Sequence, residues 1–319
     1  MPARPIAILV AIAAALGLSG CGSPAPSEDA AEGRLRVVAT TGLIGDLART
    51  IGGERVHVRD LMGPGVDPHL YKASPGDLRL LRNATLVLHH GLHLEGRLGE
   101  ALQRLGDRTP TVEVTDSIDR SLLRSPPEFE GAVDPHVWLD PRLWSMVAER
   151  VRDALIDRDP DGEEHFRANA SALVAQLSAL HGWAASQFGS LPADRRLLVT
   201  AHDAFGYLGA AYGLEVLSVQ GVSTESEPSL KSINALVELL AERRVPAVFV
   251  ESTVPPKTMQ ALVEGCAARG HALRIGGELL GDALGPAGTP EATYAGMFRH
   301  NIRTIVEALL PDGAEATRE

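Results

Sequence analysis

Short runs of apolar and β-branched residues alternate with amphipathic stretches along most of this chain. The apolar runs predict strands at residues 34–40, 56–62, 85–89, 111–114, 196–201, 214–219, 246–251 and 271–276. Elsewhere apolar residues recur every three or four positions, which predicts helices at residues 42–52, 75–83, 95–105, 141–158, 203–213, 229–243, 256–269 and 290–310. Strand–helix alternation of this kind favours parallel sheets covered by helices.

One stretch interrupts the alternation. From Glu163 to Phe188 there is no strand signal and no proline, and apolar residues keep a helical spacing. This predicts a helix of about 25 residues, roughly 38 Å long. We therefore expect an α/β fold of two Rossmann-like βα lobes with parallel sheets, residues 34–162 and 190–312, joined by one long rigid linking helix at 163–189. The alternative is a helix that covers one face of a single large sheet.

The N-terminal segment is typical of an exported protein. Arg4 precedes an apolar run, residues 6–16, which is too short to span a membrane. Leu18-Ser19-Gly20-Cys21 resembles the lipobox of bacterial lipoproteins, which implies a signal peptide at residues 1–20 and lipid attachment at Cys21. We expect residues 21–33 to be a flexible tether. The lipid chains would then hold the protein at a membrane surface without crossing the membrane.

Composition limits what the protein can be. The chain has 319 residues, of which 45% are hydrophobic and 22% charged, as in a soluble globular protein with a sizeable core. A formal net charge of −11 argues against nucleic acid as a partner. Besides Cys21 the only cysteine is Cys266, so we expect no internal disulfide. The helical pattern around Cys266 predicts a packed core thiol.

Three histidines and one aspartate are candidate metal ligands. His69 and His136 each end an Asp-Pro-His tripeptide, in which proline stiffens the loop. His202 follows an apolar run. Asp282 lies in the segment Leu280-Gly281-Asp282-Ala283-Leu284-Gly285. Three imidazoles and one carboxylate suit a four-coordinate site for a divalent transition metal.

The positions of these residues on the predicted fold support one common site. His69, His202 and Asp282 each lie on a loop that follows a predicted strand. Ligands of open α/β sheets bind outside the carboxyl ends of the strands. His136 lies in an irregular stretch before the helix at 141–158, from which it can reach the same place. Two candidates come from each lobe, which would put the ion in the cleft between them.

Other groups remain candidates. A second histidine cluster follows the third predicted strand: His89, His90 and His93. The first of these should point into the sheet. Glu251 ends a buried strand, so its carboxylate faces the cleft either as a ligand or as a partner of one. Asp67 and Asp134 could orient an imidazole through its second nitrogen, but we expect them to be solvated loop residues.

Five motifs occur in order along the chain. They are Asp67-Pro68-His69-Leu70-Tyr71, Gly91-Leu92-His93-Leu94-Glu95-Gly96, Asp134-Pro135-His136-Val137-Trp138, Thr200-Ala201-His202-Asp203 and Asp282-Ala283-Leu284-Gly285. Together they resemble the metal-binding receptor lipoproteins of zinc and manganese ABC importers, over nearly all of residues 35–310. The resemblance implies two βα lobes joined by a long helix, with the ion between them. It carries the ligands over as His69, His136, His202 and Asp282.

The resemblance leaves zinc and manganese open. Manganese-selective members of that family often have glutamate at the position of His202, so the histidine here favours zinc. Zinc-specific members often carry a histidine-rich loop, and the matching stretch here, residues 117–133, contains no histidine.

The function implied by the resemblance is metal capture for import. We expect an extracytoplasmic receptor that binds Zn²⁺ or Mn²⁺ and passes it to an ABC permease and its ATPase. We also expect a monomer, anchored through Cys21, with no enzymatic activity and only small lobe motions on binding. The alternatives are a metallohydrolase and a metal-binding surface adhesin. A hydrolase would need an exposed metal-bound water and a general base, and the sequence lacks His-Glu-x-x-His and Gly-x-Ser-x-Gly.

Overall fold

The structure is a computed structural model that describes residues 33–106, 108–126 and 131–311. The predicted signal peptide, Cys21 and the tether up to residue 32 lie outside the described residues. The strands are β1 (Leu35–Thr41), β2 (Val56–Met62), β3 (Leu86–His89), β4 (Thr111–Glu113), β5 (Leu197–Thr200), β6 (Glu215–Ser218), β7 (Ala247–Glu251) and β8 (Arg274–Leu279). The α-helices are α1 (Gly42–Gly52), α2 (Pro75–Asn83), α3 (Gly99–Gly106), α4 (Pro141–Arg158), α5 (Glu163–Gly189), α6 (Gly206–Tyr212), α7 (Leu230–Glu242), α8 (Lys257–Ala268) and α9 (Tyr294–Leu309).

The first lobe is built on a four-stranded parallel sheet. Its strand order is β2-β1-β3-β4, and every neighbouring pair is parallel. Parallel neighbours need a crossover connection, which α1, α2 and α3 provide. The last five residues of β1 are all buried, as expected for a central parallel strand. The predicted strand–helix alternation of this lobe is confirmed.

The second lobe contains two parallel strand pairs, β5 with β6 and β7 with β8. The sequence predicted the last strand at residues 271–276, whereas β8 continues to Leu279. The register shifts opposite Val248 and Phe249, so that Gly276 is an extra residue in β8. A side chain at Gly276 would collide with the Phe249 ring. The glycine pair looked like a strand end in the sequence, but it forms a bulge through which pairing continues.

Two predicted helices are each divided in the structure. The helix predicted at 95–105 is a 3₁₀ turn, Gly96–Leu98, followed by α3. The helix predicted at 290–310 is a 3₁₀ turn, Pro290–Ala292, followed by α9. In the second case the break has a clear cause, because the Thr293 side chain accepts a hydrogen bond from the Gly296 N–H and caps α9.

The long helix is confirmed as α5, which has 27 residues. Its buried side chains keep the helical spacing seen in the sequence: Phe166, Ala170, Leu173, Leu177, Leu180, Ala184 and Phe188. They pack against α1 and α4 of the first lobe and α6 and α9 of the second. One hydrophobic core therefore runs without interruption from Leu88 in the first lobe to Phe249 in the second.

No helix of residues 33–106, 108–126 and 131–311 is long and apolar enough to cross a membrane.

Candidate metal centre

The four predicted ligands lie together in the cleft between the lobes. His69, His136, His202 and Asp282 each offer one ligand atom, and these atoms all lie within 4.8 Å of one another. All four residues are buried, with exposures of 0% to 3%. Each comes from a different loop, two from each lobe. In the part of the chain that the structure describes, no other group of three or more histidine, cysteine or acidic residues converges in this way.

The spacing of the ligand atoms fits one small dication. Nε2 of His136 lies 3.3 Å from Nε2 of His69 and 3.4 Å from Nε2 of His202. Oxygens of Asp282 lie 3.4 Å from the His136 nitrogen, 3.3 Å from that of His202 and 3.9 Å from that of His69. A tetrahedral site with metal–nitrogen distances of about 2.0–2.1 Å has ligand–ligand distances of about 3.4 Å. The five separations given above are close to this, and the longest of them involves His69.

Asp282 is a buried carboxylate that needs a positive partner. Neither of its oxygens accepts a well-oriented hydrogen bond from the described residues. Its position is fixed by the preceding residue, because the Gly281 carbonyl accepts a hydrogen bond of 2.7 Å from Nε1 of Trp138. A buried charge is costly unless a cation or several donors compensate it. A dication between the three rings would supply that charge.

Burial and neighbouring charges shift the pKa values of the cluster in different directions. Burial lowers the pKa of His69 to about 3, so this ring is neutral and has a lone pair to offer. Burial also lowers the pKa of His136, but the adjacent Asp134 and Asp282 carboxylates outweigh it and raise that pKa to about 9. His202 likewise has a pKa well above 6.5, because Asp282 and Glu251 together outweigh its burial. A bound dication would replace the protons on His136 and His202 as the positive charge beside Asp282, and those protons would be released.

His136 is oriented by Asp134. The ring nitrogen Nδ1 lies 2.8 Å from Asp134 Oδ1, and the same oxygen accepts the backbone N–H of His136 at 3.0 Å. A carboxylate only accepts, so Nδ1 carries the proton and Nε2 faces the cluster. Asp134 is 1% exposed, so the expectation that it is a solvated loop residue was wrong. Its loop turns inward because the Asp134 carbonyl accepts a hydrogen bond from the Tyr207 hydroxyl of the other lobe.

Glu251 holds His202 through a backbone hydrogen bond and a close ion pair, in which the two side chains are not aligned for a hydrogen bond. Its Oε2 lies 2.8 Å from Nδ1 of His202, and its Oε1 accepts the His202 backbone N–H at 2.9 Å. The two residues meet because β5 lies beside β7 and each residue follows or ends its strand. Gly281 is required here, since a side chain at that position would come within 2.5 Å of Glu251 Oε2. The sequence left two roles open for Glu251, and in the structure its carboxylate contacts His202.

His69 is supported through its backbone. The Asp67 carboxylate accepts the His69 N–H at 2.8 Å and, with its other oxygen, the Thr224 hydroxyl. On the opposite side, a side chain at Gly96 would lie 2.8 Å from the His69 carbonyl oxygen. The 3₁₀ turn that begins at Gly96 therefore packs directly against the His69 loop.

The second histidine cluster does not converge. His93 is exposed, His89 is half-buried and His90 is buried. His90 instead contacts the segment that carries His136. Its Nε2 donates to the Pro135 carbonyl at 2.6 Å, and its ring packs edge-on against Trp138. Sequence reasoning missed this role. A signal was present, since His90 follows a buried strand directly and so could not be a solvated residue.

Hydrogen bonds join the two lobes around the cluster. They run from Trp138 to Gly281, from Tyr207 to Asp134, from the Arg124 N–H to Tyr207, from Thr224 to Asp67, from Tyr294 to Trp138 and from the Tyr294 N–H to Asp46. The loops that carry the four clustered side chains are therefore held relative to each other by contacts that cross the cleft.

Comparisons with known proteins agree with this geometry. The chain is 44% identical over 297 residues to the manganese-binding lipoprotein MntA of Bacillus subtilis, covering 93% of this chain and 96% of that protein. It is 47% identical over 280 residues to the zinc-binding protein TroA of Treponema pallidum, covering 88% and 90%. The solved structure of the Treponema pallidum periplasmic zinc-binding protein TroA superposes with a TM-score of 0.85 at 46% identity, covering 88% of this chain and all of that one.

The family assignment follows from the length of the match. Residues 37–308 match the sequence pattern of one protein family. This range includes nearly all of both lobes, the long helix and all four clustered side chains. This chain therefore belongs to the ZnuA family, described as the periplasmic component A of the zinc-uptake complex.

Proposed function

We propose that this protein is the receptor of a metal importer, which captures Zn²⁺ or Mn²⁺ in the cleft and delivers it to an ABC permease and its ATPase. The ion is the cargo, and His69, His136, His202 and Asp282 are its ligands. The observation that carries the proposal is the convergence of these four buried ligand atoms within 4.8 Å. Reversible exchange of ligands is the only chemistry required.

The enclosure of the cluster favours capture over hydrolysis. A hydrolytic metal site keeps an open position for water or substrate and places a general base beside it. Here three imidazoles and a carboxylate surround one point, and the nearby Asp134 and Glu251 are already engaged with His136 and His202. These features support a binding protein of an importer, in agreement with the relatives named above.

Both ions fit the donors. Three imidazoles favour zinc, whereas carboxylate oxygens favour manganese. Asp282 presents one oxygen toward His136 and the other toward His202, so it can bind through one oxygen or both. Two-oxygen binding would give the larger coordination number that suits manganese, and one-oxygen binding would give the tetrahedral shell that suits zinc.

The rest of the proposal concerns location and assembly. The protein acts as a monomer, held at the membrane surface by lipid at Cys21 through the 21–33 tether. Residues 34–162 and 190–312 form the two metal-binding lobes and residues 163–189 link them. The MntA relative is named a lipoprotein, which supports the anchored form.

The test is the metal content of the protein itself. Protein purified without added metal is analysed by mass spectrometry, and competition titrations then compare Zn²⁺ with Mn²⁺. We expect about one ion per chain in wild type and none in a His69→Ala/Asp282→Ala double variant. Wild-type protein that holds no ion and binds neither in titration would overturn the proposal.

A further inference from the structure

Thr224 forms a link between the two lobes that the metal chemistry alone does not require. It lies in the β6–α7 loop (residues 219–229) of the second lobe, and its hydroxyl donates a hydrogen bond of 2.5 Å to Asp67 Oδ2 in the first lobe. A hydroxyl–carboxylate hydrogen bond this short is charge-assisted and among the stronger kinds in proteins.

The link leads directly to a metal ligand. Asp67 uses its other oxygen, Oδ1, to accept the backbone N–H of His69 at 2.8 Å. The Asp67 carboxylate thus bridges Thr224 and His69. His136 and His202 are oriented by carboxylates of their own lobes, Asp134 and Glu251. For His69 the corresponding support depends on a residue of the opposite lobe.

The other end of the β6–α7 loop is tied to a second ligand loop. The Asp203 N–H donates to the Gly221 carbonyl at 3.2 Å, and the Gln220 N–H donates to the Ala201 carbonyl at 3.0 Å. These bonds anchor the loop to both neighbours of His202. The loop therefore connects the His202 segment with the His69 segment across the cleft.

A weaker contact lies beside this link. Glu225 approaches Arg97 at 3.7 Å across the cleft, but both side chains are about half exposed. An ion pair this exposed contributes little, because solvent and salt screen it. The Thr224–Asp67 hydrogen bond is half-buried and shorter, so it dominates the contact between this loop and the first lobe.

We propose that Thr224 is a positioning residue for His69, acting through Asp67, and that the β6–α7 loop thereby sets how fast the ion leaves. This inference rests on the metal-receptor function proposed above. When the hydrogen bond is intact, His69 stays against the ion. When the loop moves away from the first lobe, Asp67 loses one partner and the His69 segment is free to withdraw.

The test compares three variants by the rate at which a chelator removes Zn²⁺ from the loaded protein. Thr224→Val keeps the shape and removes the hydroxyl, Thr224→Ser keeps the hydroxyl, and Thr111→Val is the matched control. Thr111 lies half-buried on the edge strand β4 of the first lobe. Its hydroxyl donates one hydrogen bond, to the Thr109 carbonyl. We expect Thr224→Val to release Zn²⁺ about ten times faster, which corresponds to about 1.4 kcal/mol. Thr224→Ser and Thr111→Val should match wild type.

A double-variant cycle shows whether the effect passes through Asp67. In an Asp67→Ala background, Thr224→Val should cause no further acceleration. The proposal fails if Thr224→Val matches wild type, if Thr224→Ser is equally fast, or if the acceleration persists without Asp67. If wild type binds neither Zn²⁺ nor Mn²⁺, the receptor function fails instead, so the two failures are distinguishable.

Discussion

A metal-binding imidazole must have a free lone pair on one nitrogen and be held in place through the rest of the residue. His136 and His202 are held in place by carboxylates that lie 2.8 Å from Nδ1, which leaves Nε2 for the ion once its proton is released. His69 is held in place through its backbone N–H. The three rings therefore have different means of support.

Removal of one of the clustered histidines should weaken metal binding. We expect His136→Ala to lower Zn²⁺ affinity at least tenfold. Only three of the four candidate ligands would remain, and the Asp134 carboxylate would lose its contact with the His136 ring. The measurement is a competition titration against a chelating dye. His89→Ala is the control, since His89 lies only one residue from the supporting His90 yet outside the cluster, and it should match wild type. A large loss in His89→Ala would instead favour the second histidine cluster.

The residue at position 202 should influence the choice of ion. We expect His202→Glu to shift the preference toward Mn²⁺, because a carboxylate replaces an imidazole. In the single variant the new carboxylate would face Glu251, which now lies 2.8 Å from the ring. The double variant His202→Glu/Glu251→Gln should therefore bind Mn²⁺ more tightly than the single one. An unchanged Zn²⁺/Mn²⁺ affinity ratio in both variants would contradict this account.

For single site residues the sequence was informative where the neighbouring residues restrict the local backbone. Proline before His69 and His136, and an apolar strand before His202, made these three rings candidates, and the structure brings them together. Thr224 could not be found this way. It acts on Asp67 from 157 positions away, and nothing in the sequence around a loop threonine indicates a contact at such a separation.

The helices and strands determine where these residues can lie. α5 determines the distance between the lobes, because the side chains on its buried face pack against both of them. Its period was readable from the sequence, since a helix without proline over this length has no competing interpretation. β8 was predicted three residues too early, because a glycine bulge and a strand end look the same in a sequence.

A cavity in the buried face of α5 should destabilise both lobes together. We expect Leu177→Ala to lower the free energy of unfolding by about 2–5 kcal/mol, with a single cooperative transition in denaturant. Metal affinity of the folded protein should stay within about twofold of wild type, a range too small to reflect a lost ligand, because Leu177 lies on α5 and not on a ligand loop.

The control for this prediction is Gln176→Ala, which changes an exposed position on the same helix. Its free energy of unfolding should differ from that of wild type by about 0.5 kcal/mol or less. Two separate unfolding transitions in the Leu177→Ala variant would mean that the lobes do not share one core.

The whole molecule should be more stable with its ion than without it. An ion present at about a thousand times its dissociation constant stabilises the folded state by about 4 kcal/mol. We expect chelator to lower the melting temperature of loaded protein by several degrees, on the order of 10 °C. Calorimetry with and without added Zn²⁺ measures this. The His69→Ala/Asp282→Ala variant should melt at the same temperature in both conditions, and an equal response of that variant would show that the ion acts elsewhere.

The overall plan was predicted from the alternation of strands and helices, but two of its properties were not. The sequence cannot show that the strands of the second lobe form two pairs, because pairing depends on contacts between distant segments. Nor can it show that one core continues through both lobes, because a buried leucine looks the same whether it packs within a lobe or between lobes.

That unbroken core limits how such proteins can diversify. A lobe taken from a relative would have to match the side chains of α5 and those of the other lobe at once, so exchange of whole lobes would leave cavities and clashes along the helix. A substitution of one of the four clustered side chains leaves the core side chains along α5 unchanged. New ion preferences are therefore reached more easily through single changes within the cluster than through recombination of the two lobes.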